Sequence, residues 1–396
     1  MIWKNPEKMK SKIRYYLVYR CGNKAMEMIA VDLLWLRPKQ VGGTEFYIRN
    51  LLDGFRKLEE PFQFALLVSQ DNKDTFVHYT EDKRFSLLET NVVSANIGKR
   101  ILWQFFCQNR FLRKHGIRRC FIPVYCRTLL NGGITYVNTI HDLQAAHYPE
   151  YHPFHEIAYS RLCWWLDTHC SKHIVAISDW VRQDIIDRYH VKSERITTIY
   201  NPITVDKNEV IPFAELSQKY GVSEKNFYYT VSQLIPHKNL DTIIAVMKQI
   251  KEQKIDLPTR LLISGVNGES REKLMKQIKE QGLEREVTLT GFVDNAERNA
   301  LYRYSRAFLF PSVFEGFGMP PIEAMLFGTI VITTNRASVP EVTQNKANYV
   351  KDPYDVQEWI SVMSNPRERI GEVDFDAYEQ MKLTKQYYRL LEEQLG

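Results

Sequence analysis

Apolar stretches of β-strand length alternate with helical segments along most of the chain, and this alternation limits the possible folds more than any other feature. In the first half the predicted strands are 28–34, 63–69, 120–123, 134–140, 174–177 and 196–200, and predicted helices include 46–55, 102–114 and 179–189. Strands and helices that alternate with short loops are typical of a parallel, doubly wound sheet. The first half is therefore predicted to form an α/β domain.

A second alternating run follows a looser segment. Residues 201–216 contain two prolines and scattered charges, which is typical of a linker. The strands predicted after it are 228–232, 260–264, 287–290, 307–311 and 329–333, and the charged segment 374–395 is predicted to be largely helical with one apolar side. Because 396 residues exceed one ordinary core, we expect two domains, 1–204 and 205–380.

Composition indicates a soluble globular protein, with 44% apolar and 25% charged residues and no apolar run long enough to span a bilayer. Residues 1–20 carry charges throughout and lack the apolar core of a signal peptide, so a cytoplasmic location is expected. The six cysteines lie in the first half without a C-x-x-C pair. Reduced structural thiols are expected rather than disulfides or metal ligands.

A basic segment between Lys99 and Arg119 has seven Lys and Arg residues, four interleaved aromatic residues and no acid. It is compatible with peripheral contact to an anionic membrane, with a nucleic-acid patch, or with a solvated helix face whose aromatic side is buried. No nucleic-acid-binding motif accompanies the charge, so no nucleic-acid partner is expected. Membrane contact would place the protein at the inner face of the membrane.

The segment 311–328 carries the most specific motif. It follows a predicted strand, places Gly316 and Gly318 in a loop, and enters a helix at two prolines that suit a first helical turn. Glycines let a ligand approach the backbone, and a helix N-terminus attracts a diphosphate. Glu315 and Glu323 flank this loop and could accept hydrogen bonds from different hydroxyls of one ligand. The alternative is an ordinary turn in which Glu323 only favours the helix dipole.

This motif resembles the signature of retaining glycosyltransferases of the GT-B fold, in the large family numbered 4, and the resemblance covers essentially the whole chain. It implies two Rossmann-like, doubly wound parallel-sheet domains with a cleft between them, and a C-terminal helix (about 381–396) that joins the acceptor-binding first domain. It also implies that Glu315 contacts the donor sugar and Glu323 the ribose. The backbone that would bind sugar and phosphate oxygens belongs to Gly316, Phe317, Gly318 and Met319.

Two further segments of the second half resemble the family. Residues 231–240 are similar to its phosphate loop, in which Lys238 would neutralise the leaving diphosphate. Gln233 departs from the pattern, because family members often have an arginine there, and one cation is missing unless another residue supplies it. Backbone groups near Val293 would meet the nucleobase. The competing interpretation is an ordinary surface lysine for Lys238, an ordinary loop amide for Gln233, and the plain end of a buried strand for Val293.

The first half also carries family-like residues. Gly42 and Gly43 resemble a glycine loop that faces the donor phosphate, although a simple tight turn is the competing interpretation. His141 matches a strand-end histidine that contacts the transferring sugar, and the carboxyl end of a parallel strand is where ligands bind in open α/β sheets. Asp142 is expected to cap or orient, and Ser178 to be the N-cap of the next helix.

The expected reaction transfers a glycosyl group from a nucleoside-diphosphate sugar to a hydroxyl of a glycan or lipid-linked acceptor, with retention. The resemblance implies front-face attack, with Glu315 orienting the sugar, and a role in bacterial capsule, O-antigen or exopolysaccharide synthesis. No cofactor and no metal are expected, and the Asp374-Phe-Asp376 sequence is interpreted as a helix start. The alternatives are a GT-B-fold nucleotide-sugar epimerase or phosphorylase, and an inactive Rossmann-like binding protein.

Overall fold

The computed structural model describes residues 28–38, 42–124, 128–266, 268–367 and 371–395. The N-terminal segment 1–20 and two of the cysteines, Cys21 and Cys126, lie outside the described residues. Within these ranges the chain forms two parallel β-sheets, each covered by helices, as the sequence predicts for two Rossmann-like domains. No helix of the described residues is long and apolar enough to cross a membrane.

The first sheet has the strand order β3-β2-β1-β4-β5-β6-β7, and every pairing is parallel. The strands are Ile29–Asp32 (β1), Phe64–Val68 (β2), Phe85–Glu89 (β3), Arg119–Ile122 (β4), Thr135–Ile140 (β5), His173–Ala176 (β6) and Ile196–Thr198 (β7). The helices are Gly43–Lys57 (α1), Ile97–Phe106 (α2), Gln108–Lys114 (α3), Gln144–His147 (α4), Phe154–Cys170 (α5) and Asp179–Tyr189 (α6), with 3₁₀ turns at Lys73–Glu81, Pro149–Tyr151 and Ser193–Arg195.

Three features of this domain differ from the sequence expectation. Strand β3 was not predicted, because it is an edge strand with only two of its five residues buried. Helix α5 was missed because polar side chains such as Ser160 and Asp167 are among its buried residues, so apolar periodicity does not mark its inner face. The predicted helix 102–114 is wrong as one element, since it divides at Cys107 into α2 and α3.

The second sheet has the order β10-β9-β8-β11-β12-β13, again parallel throughout. Its strands are Tyr228–Val231 (β8), Leu261–Ser264 (β9), Val287–Gly291 (β10), Ala307–Phe310 (β11), Ile330–Thr334 (β12) and Asn348–Val350 (β13). Its helices are Phe213–Tyr220 (α7), Leu240–Glu252 (α8), Gly268–Glu280 (α9), Asn295–Tyr304 (α10), Met319–Leu326 (α11), Val339–Val342 (α12) and Val356–Ser364 (α13), with 3₁₀ turns at Pro236–Lys238 and Phe375–Tyr378. The three-residue β13 is too short for a sequence signal, and α7 begins inside the segment interpreted as a linker.

The last helix, Gln380–Leu395 (α14), packs on α1 and β5 of the first domain. Its apolar side, Leu383, Tyr387, Leu390, Leu391 and Leu395, is buried in the core cluster that includes β1 and β2. The two helices approach so closely that a Cβ atom on Gly54 would lie 2.0 Å from Oγ1 of Thr384. A glycine at position 54 therefore permits this docking.

Both segments that cross between the domains meet α1 at Asn50. The Asn50 side-chain amide donates to the Pro202 carbonyl oxygen (3.2 Å), and its own carbonyl oxygen accepts from Nε2 of Gln380 (2.6 Å). The two crossings are also joined to each other, because the amide of Ile203 donates to the carbonyl of Tyr378 (3.0 Å). Both connections between the domains are thus anchored at the middle of α1, and a rotation of one domain against the other would take place about this point.

Candidate active site between the two sheets

Loops that follow the strands of one sheet contact loops that follow the strands of the other, so the carboxyl ends of both sheets border one cleft. A Cβ atom on Gly316, after β11, would lie 2.0 Å from the carbonyl oxygen of His141, after β5. Oγ of Ser178, after β6, donates to the Gly316 carbonyl oxygen at 2.8 Å. The cleft lies where ligands bind in open parallel sheets.

Lys238 and Glu315 form an ion pair in this cleft, with 2.6 Å between Nζ and Oε1. Lys238 ends the 3₁₀ turn after β8, and Glu315 lies in the loop after β11, the strand that pairs with β8. Their side chains are 21% and 12% exposed. Two motifs that are far apart in the sequence predicted a phosphate-binding cation, Lys238, and a sugar-binding carboxylate, Glu315. The fold brings these two charged groups into contact.

The His141 side chain is buried, and its Nε2 donates to the Pro123 carbonyl oxygen at 2.8 Å. A carbonyl oxygen only accepts, so Nε2 carries the proton and Nδ1 is left with a lone pair. Burial lowers the pKa of His141 to about 4, although the Pro123 carbonyl opposes this. The imidazole is therefore neutral near pH 7 and can accept a hydrogen bond from a hydroxyl group.

Asp142 and His237 lie beside the ion pair. Oδ1 of Asp142 accepts from the amide of Gln144, the first residue of α4, at 2.9 Å, and burial raises the pKa of its carboxyl group. Nδ1 of His237 accepts a hydrogen bond from Nε2 of Gln144 across the cleft. Burial and the neighbouring Lys238 ammonium lower the pKa of His237 to about 4. Lys238 is thus a cation next to a neutral imidazole.

The loop between Glu315 and α11 is shaped for close approach. Gly318 is the N-cap of α11 and has a φ of 85°, which favours glycine. Because Pro320 and Pro321 have no N–H group, the amides that the helix start can offer to an anion come from Gly318 and Met319. Phe317 points away from the loop into an apolar cluster that contains residues of both domains.

Gly42 and Gly43 form the start of α1 on the opposite wall. Gly42 has a φ of 59°, and a Cβ atom there would lie 3.8 Å from Nε2 of the exposed Gln233. A Cβ atom on Gly43 would lie 3.3 Å from Cε of Met319. The glycine loop therefore faces both the phosphate-loop glutamine and the first residue of α11. Val41, which precedes it, lies outside the described residues.

Glu323 lies on α11 and is held by two residues that no sequence motif indicates. The Tyr302 hydroxyl donates to its Oε2 at 2.9 Å, and Nε of Arg298 lies 3.8 Å from the same oxygen. Arg298 and Tyr302 come from α10, so their relation to Glu323 depends on helix packing rather than on a motif. These contacts fix the direction of the Glu323 carboxylate.

Val293 lies in the turn between β10 and α10, two residues after the strand ends at Gly291. Its side chain is half-buried and packs against the cluster formed by α10, β11 and neighbouring elements. Phe292 beside it is 83% exposed. The turn lies at the carboxyl edge of the sheet, on the opposite end from β13.

A contact that sequence reasoning missed joins Glu341 to the first domain. Its Oε1 accepts from the amide of Asp179 (2.7 Å) and its Oε2 from the amide of Trp180 (2.8 Å), so a carboxylate of the second domain caps α6. Ser178 is also a cap, because its Oγ accepts from the amide of Val181 at 3.1 Å. Burial raises the pKa of Glu341, whereas the two amides lower it. No local pattern in the sequence indicates this role for Glu341.

No group of three or more His, Cys, Asp or Glu side chains in the described ranges is placed to hold a metal ion. Asp374 of the Asp374-Phe-Asp376 sequence caps the 3₁₀ turn that follows it, since its Oδ1 accepts from the amide of Asp376 at 3.1 Å. Asp374 therefore begins a 3₁₀ turn, and the α-helix predicted from this position begins only at Gln380.

Comparison with known proteins gives two family matches. Residues 41–207 match the family profile described as glycosyltransferase family 4, and residues 212–365 match that described as glycosyl transferases group 1. The chain is 30% identical over 255 residues to the O-antigen chain mannosyltransferase RfbU of Salmonella typhimurium, an alignment that covers 61% of this chain and 67% of the relative. It is 30% identical to O-antigen chain mannosyltransferase B of Escherichia coli, over 56% of this chain and 58% of that protein.

Solved structures share the fold. HepE of Anabaena in complex with UDP superimposes with a TM-score of 0.67 at 16% identity, covering 93% of this chain and 100% of that chain. WaaG, a glycosyltransferase involved in lipopolysaccharide biosynthesis, gives a TM-score of 0.63 over 91% of this chain and 95% of that one. At such identities the likeness concerns the fold, which is GT-B. Together with the family matches, it shows that the chain is a glycosyltransferase of family 4, the glycosyl transferases of group 1.

Proposed function

We propose that the protein transfers a glycosyl group from a nucleoside-diphosphate sugar to a hydroxyl group of a glycan or lipid-linked acceptor, with retention of anomeric configuration, during synthesis of a bacterial surface polysaccharide. The polysaccharide role is supported by its similarity to two O-antigen chain mannosyltransferases. A mannosyl donor is the first candidate for the same reason. The use of a nucleotide sugar is supported by the likeness to HepE structures that contain UDP and UDP-glucose.

The observation that carries this proposal is the ion pair of Lys238 and Glu315 within the cleft. A donor diphosphate carries the negative charge that would replace Glu315 as the partner of Lys238. Glu315 would then be free to accept hydrogen bonds from hydroxyls of the donor sugar. Binding of the donor would therefore replace this ion pair with two sets of contacts, one between Lys238 and the diphosphate and one between Glu315 and the sugar. The Lys238 ammonium group would have a negatively charged partner both before and after the donor binds, which compensates for its removal from water.

In the proposed reaction the acceptor oxygen forms a bond to the anomeric carbon on the face from which the nucleoside diphosphate leaves. The bond from the anomeric carbon to the phosphate oxygen breaks, and that phosphate takes the acceptor proton. Lys238 and the amides of Gly318 and Met319 stabilise the growing negative charge. We propose that these groups act without a metal ion, and that Glu315 orients the sugar and forms no covalent bond to it.

The donor is identified by thermal shift with GDP-, UDP- and dTDP-sugars, since a ligand that binds only the folded state raises the melting temperature. With that donor, Lys238→Ala should lower donor hydrolysis or transfer by about 10²- to 10³-fold, the usual effect of losing one group that stabilises developing charge. Glu315→Gln should lower it as well. Lys251→Ala is the matched control, because Lys251 forms an ion pair with Glu286 at 3.0 Å on the far side of the domain from the phosphate loop. Full activity in Lys238→Ala would refute the site.

We further propose that the segment from Lys99 to Arg119 contacts an anionic membrane. Trp103 and Phe111 pack against the core, but Leu102 and Phe106, one turn apart on α2, are 58% and 68% exposed. The same segment carries five exposed basic residues, Lys99, Arg110, Arg113, Lys114 and Arg118. Exposed apolar side chains beside lysines and arginines suit an anionic bilayer surface.

This contact is tested by co-sedimentation with vesicles that contain anionic phospholipid and with vesicles of phosphatidylcholine alone. Binding should require the anionic lipid, weaken with salt, and decrease in Phe106→Ala and in Arg110→Glu. Lys276→Glu is the control, because this exposed lysine lies on α9 of the second domain. Equal sedimentation with both kinds of vesicle would contradict membrane contact through this segment.

A further inference from the structure

Three tyrosines and one arginine form a partly exposed surface where α4 and the 3₁₀ turn after it meet the second domain. The rings of Tyr148 and Tyr151 are stacked, with centroids 5.3 Å apart and planes 5° apart. The Tyr151 hydroxyl group lies close to that of Tyr354, and the Arg336 guanidinium lies near enough to the hydroxyls of Tyr148 and Tyr354 to interact with them electrostatically. We call these four residues, Tyr148, Tyr151, Arg336 and Tyr354, the tyrosine platform.

The platform adjoins the loop that carries Glu315. The Tyr148 ring meets the ring of Phe314 edge-on, with 5.7 Å between centroids, and its hydroxyl lies 3.5 Å from the carbonyl oxygen of Val313. Phe314 directly precedes Glu315. Tyr148 of the platform therefore contacts the residue next to Glu315, the proposed sugar-binding carboxylate.

The strand order shows on which side of the donor site the platform lies. In the second sheet, β10 is followed by β9, β8, β11, β12 and β13. Val293 follows β10, Lys238 follows β8 and Glu315 follows β11, so base, diphosphate and sugar would lie in that order along the carboxyl edge of the sheet. Arg336 follows β12 and Tyr354 follows β13. The platform thus lies beyond the sugar end of the donor, on the side away from the nucleotide.

The rings are not part of a core. Tyr354 is 55% exposed, Tyr148 and Tyr151 are half-buried, and Arg336 is exposed. One terminal nitrogen of Arg336 donates to the Lys351 carbonyl oxygen at 3.1 Å, which holds the guanidinium beside the rings. Glu150, between the two stacked tyrosines in sequence, is exposed as well. Flat aromatic faces with charged hydrogen-bonding groups at their edge suit a ligand that has both C–H faces and hydroxyl groups.

We propose that the tyrosine platform is a binding subsite for a sugar residue of the acceptor glycan, other than the residue whose hydroxyl reacts. This inference rests on the proposed function, because it assumes that the acceptor is a saccharide chain. The rings would pack against the C–H face of a pyranose, and Arg336 and Glu150 would bind its hydroxyls. Since Tyr148 and Tyr151 belong to the first domain and Arg336 and Tyr354 to the second, the subsite is complete only when the cleft is closed.

Saturation-transfer difference NMR on the full chain tests this with trisaccharides of mannose, glucose, galactose or rhamnose as probes. At least one trisaccharide should bind, and Tyr354→Ala and Arg336→Ala should each weaken its binding by about three- to tenfold. Tyr354→Phe keeps the ring and should retain most of the affinity. Tyr388→Ala is the control, because this half-buried tyrosine lies on α14, where its hydroxyl donates to the Pro61 carbonyl oxygen.

The thermal shift produced by the donor separates this proposal from the proposed function, because Tyr354→Ala should leave it unchanged. Donor binding together with unchanged trisaccharide binding in both platform variants would overturn the subsite and leave the function standing. Absence of binding by every trisaccharide would overturn it too. If no nucleotide sugar raised the melting temperature of the wild-type protein, that result would instead count against the proposed function.

Discussion

Gly316→Ala is expected to prevent closure of the cleft without disturbing the fold of either domain. Gly316 does not have a positive φ, so alanine is compatible with its backbone conformation. Its new Cβ atom would lie 2.0 Å from the His141 carbonyl oxygen, whereas ordinary contact begins at 3.4 Å. The obstacle is backbone rather than a flexible side chain, so the two domain surfaces must separate by roughly 1.4 Å.

A displacement of this size is large for catalysis. It would also lengthen the 2.8 Å hydrogen bond from Oγ of Ser178 to the Gly316 carbonyl oxygen. Because misplacement of reacting groups by about 1 Å can cost 10²-fold in rate, kcat/KM of Gly316→Ala should fall by about 10²-fold. Gly98→Ala on α2 is the matched control, since its Cβ atom would meet no other atom within 4 Å and the residue lies outside the cleft.

The assay measures transfer or donor hydrolysis for both variants, and small-angle scattering measures their radius of gyration with saturating donor. Gly316→Ala should remain more open than the wild-type protein in the presence of donor, and Gly98→Ala should not. An activity of Gly316→Ala within twofold of the wild-type value, with a closed scattering profile, would refute the reasoning from the close contact.

Three further variants test separate parts of the structure. Gly54→Ala should destabilise the fold by about 1–2 kcal/mol in urea unfolding, because the clash with Thr384 outweighs the gain in helix propensity, whereas Gly98→Ala on α2, which has open space around it, should stabilise by up to about 1 kcal/mol; stabilisation by both would contradict the tight helix contact. The pKa of about 4 for His141 lies below the unfolded value of 6.5, so the unfolded state binds more protons between these values and stability falls as pH drops through this window, by about 3 kcal/mol in total. His141→Gln should remove that part of the pH dependence in unfolding curves measured from pH 7 to pH 4, and an unchanged slope would count against a buried neutral imidazole. Gln233→Arg should lower the KM for the nucleotide sugar by about fivefold, because a guanidinium group binds phosphate more strongly than an amide group does. An unchanged KM would place this side chain away from the diphosphate.

The sequence predicted the two parallel sheets because their central strands are buried and apolar, and each lies between well-marked helices. It failed where burial does not follow polarity, as in α5, and at the short edge strands β3 and β13. Motif residues of the site could be predicted one loop at a time, since each loop follows a recognisable strand. Lys238 and Glu315 were identified in this way, although the 2.6 Å contact between them was not foreseen.

Contacts between the domains could not be predicted, because they depend on how the two sheets are oriented. Glu341 caps α6 from more than 150 positions away, and the Gln144 amide reaches His237 across the cleft. No local pattern marks either pair. Similarly, Tyr302 and Arg298 surround Glu323 only because α10 packs on α11. The residues that support the site can therefore be identified only from the packing in the structure, whereas the residues at its centre can be identified from sequence motifs.

Closure of the cleft and the substitution at Gln233 should be energetically coupled. His237 is neutral near pH 7, so around the phosphate loop the positive potential comes from Lys238 and from the N-termini of α8 and α11. Such interactions strengthen when water is excluded, and closure is what excludes it. An arginine at position 233 would supply charge that depends less on closure, so Gly316→Ala should cost less activity in a Gln233→Arg background than in the wild-type protein. A double-mutant cycle on kcat/KM measures this coupling, and strictly additive effects would show that closure does not serve to strengthen a weakly charged phosphate site.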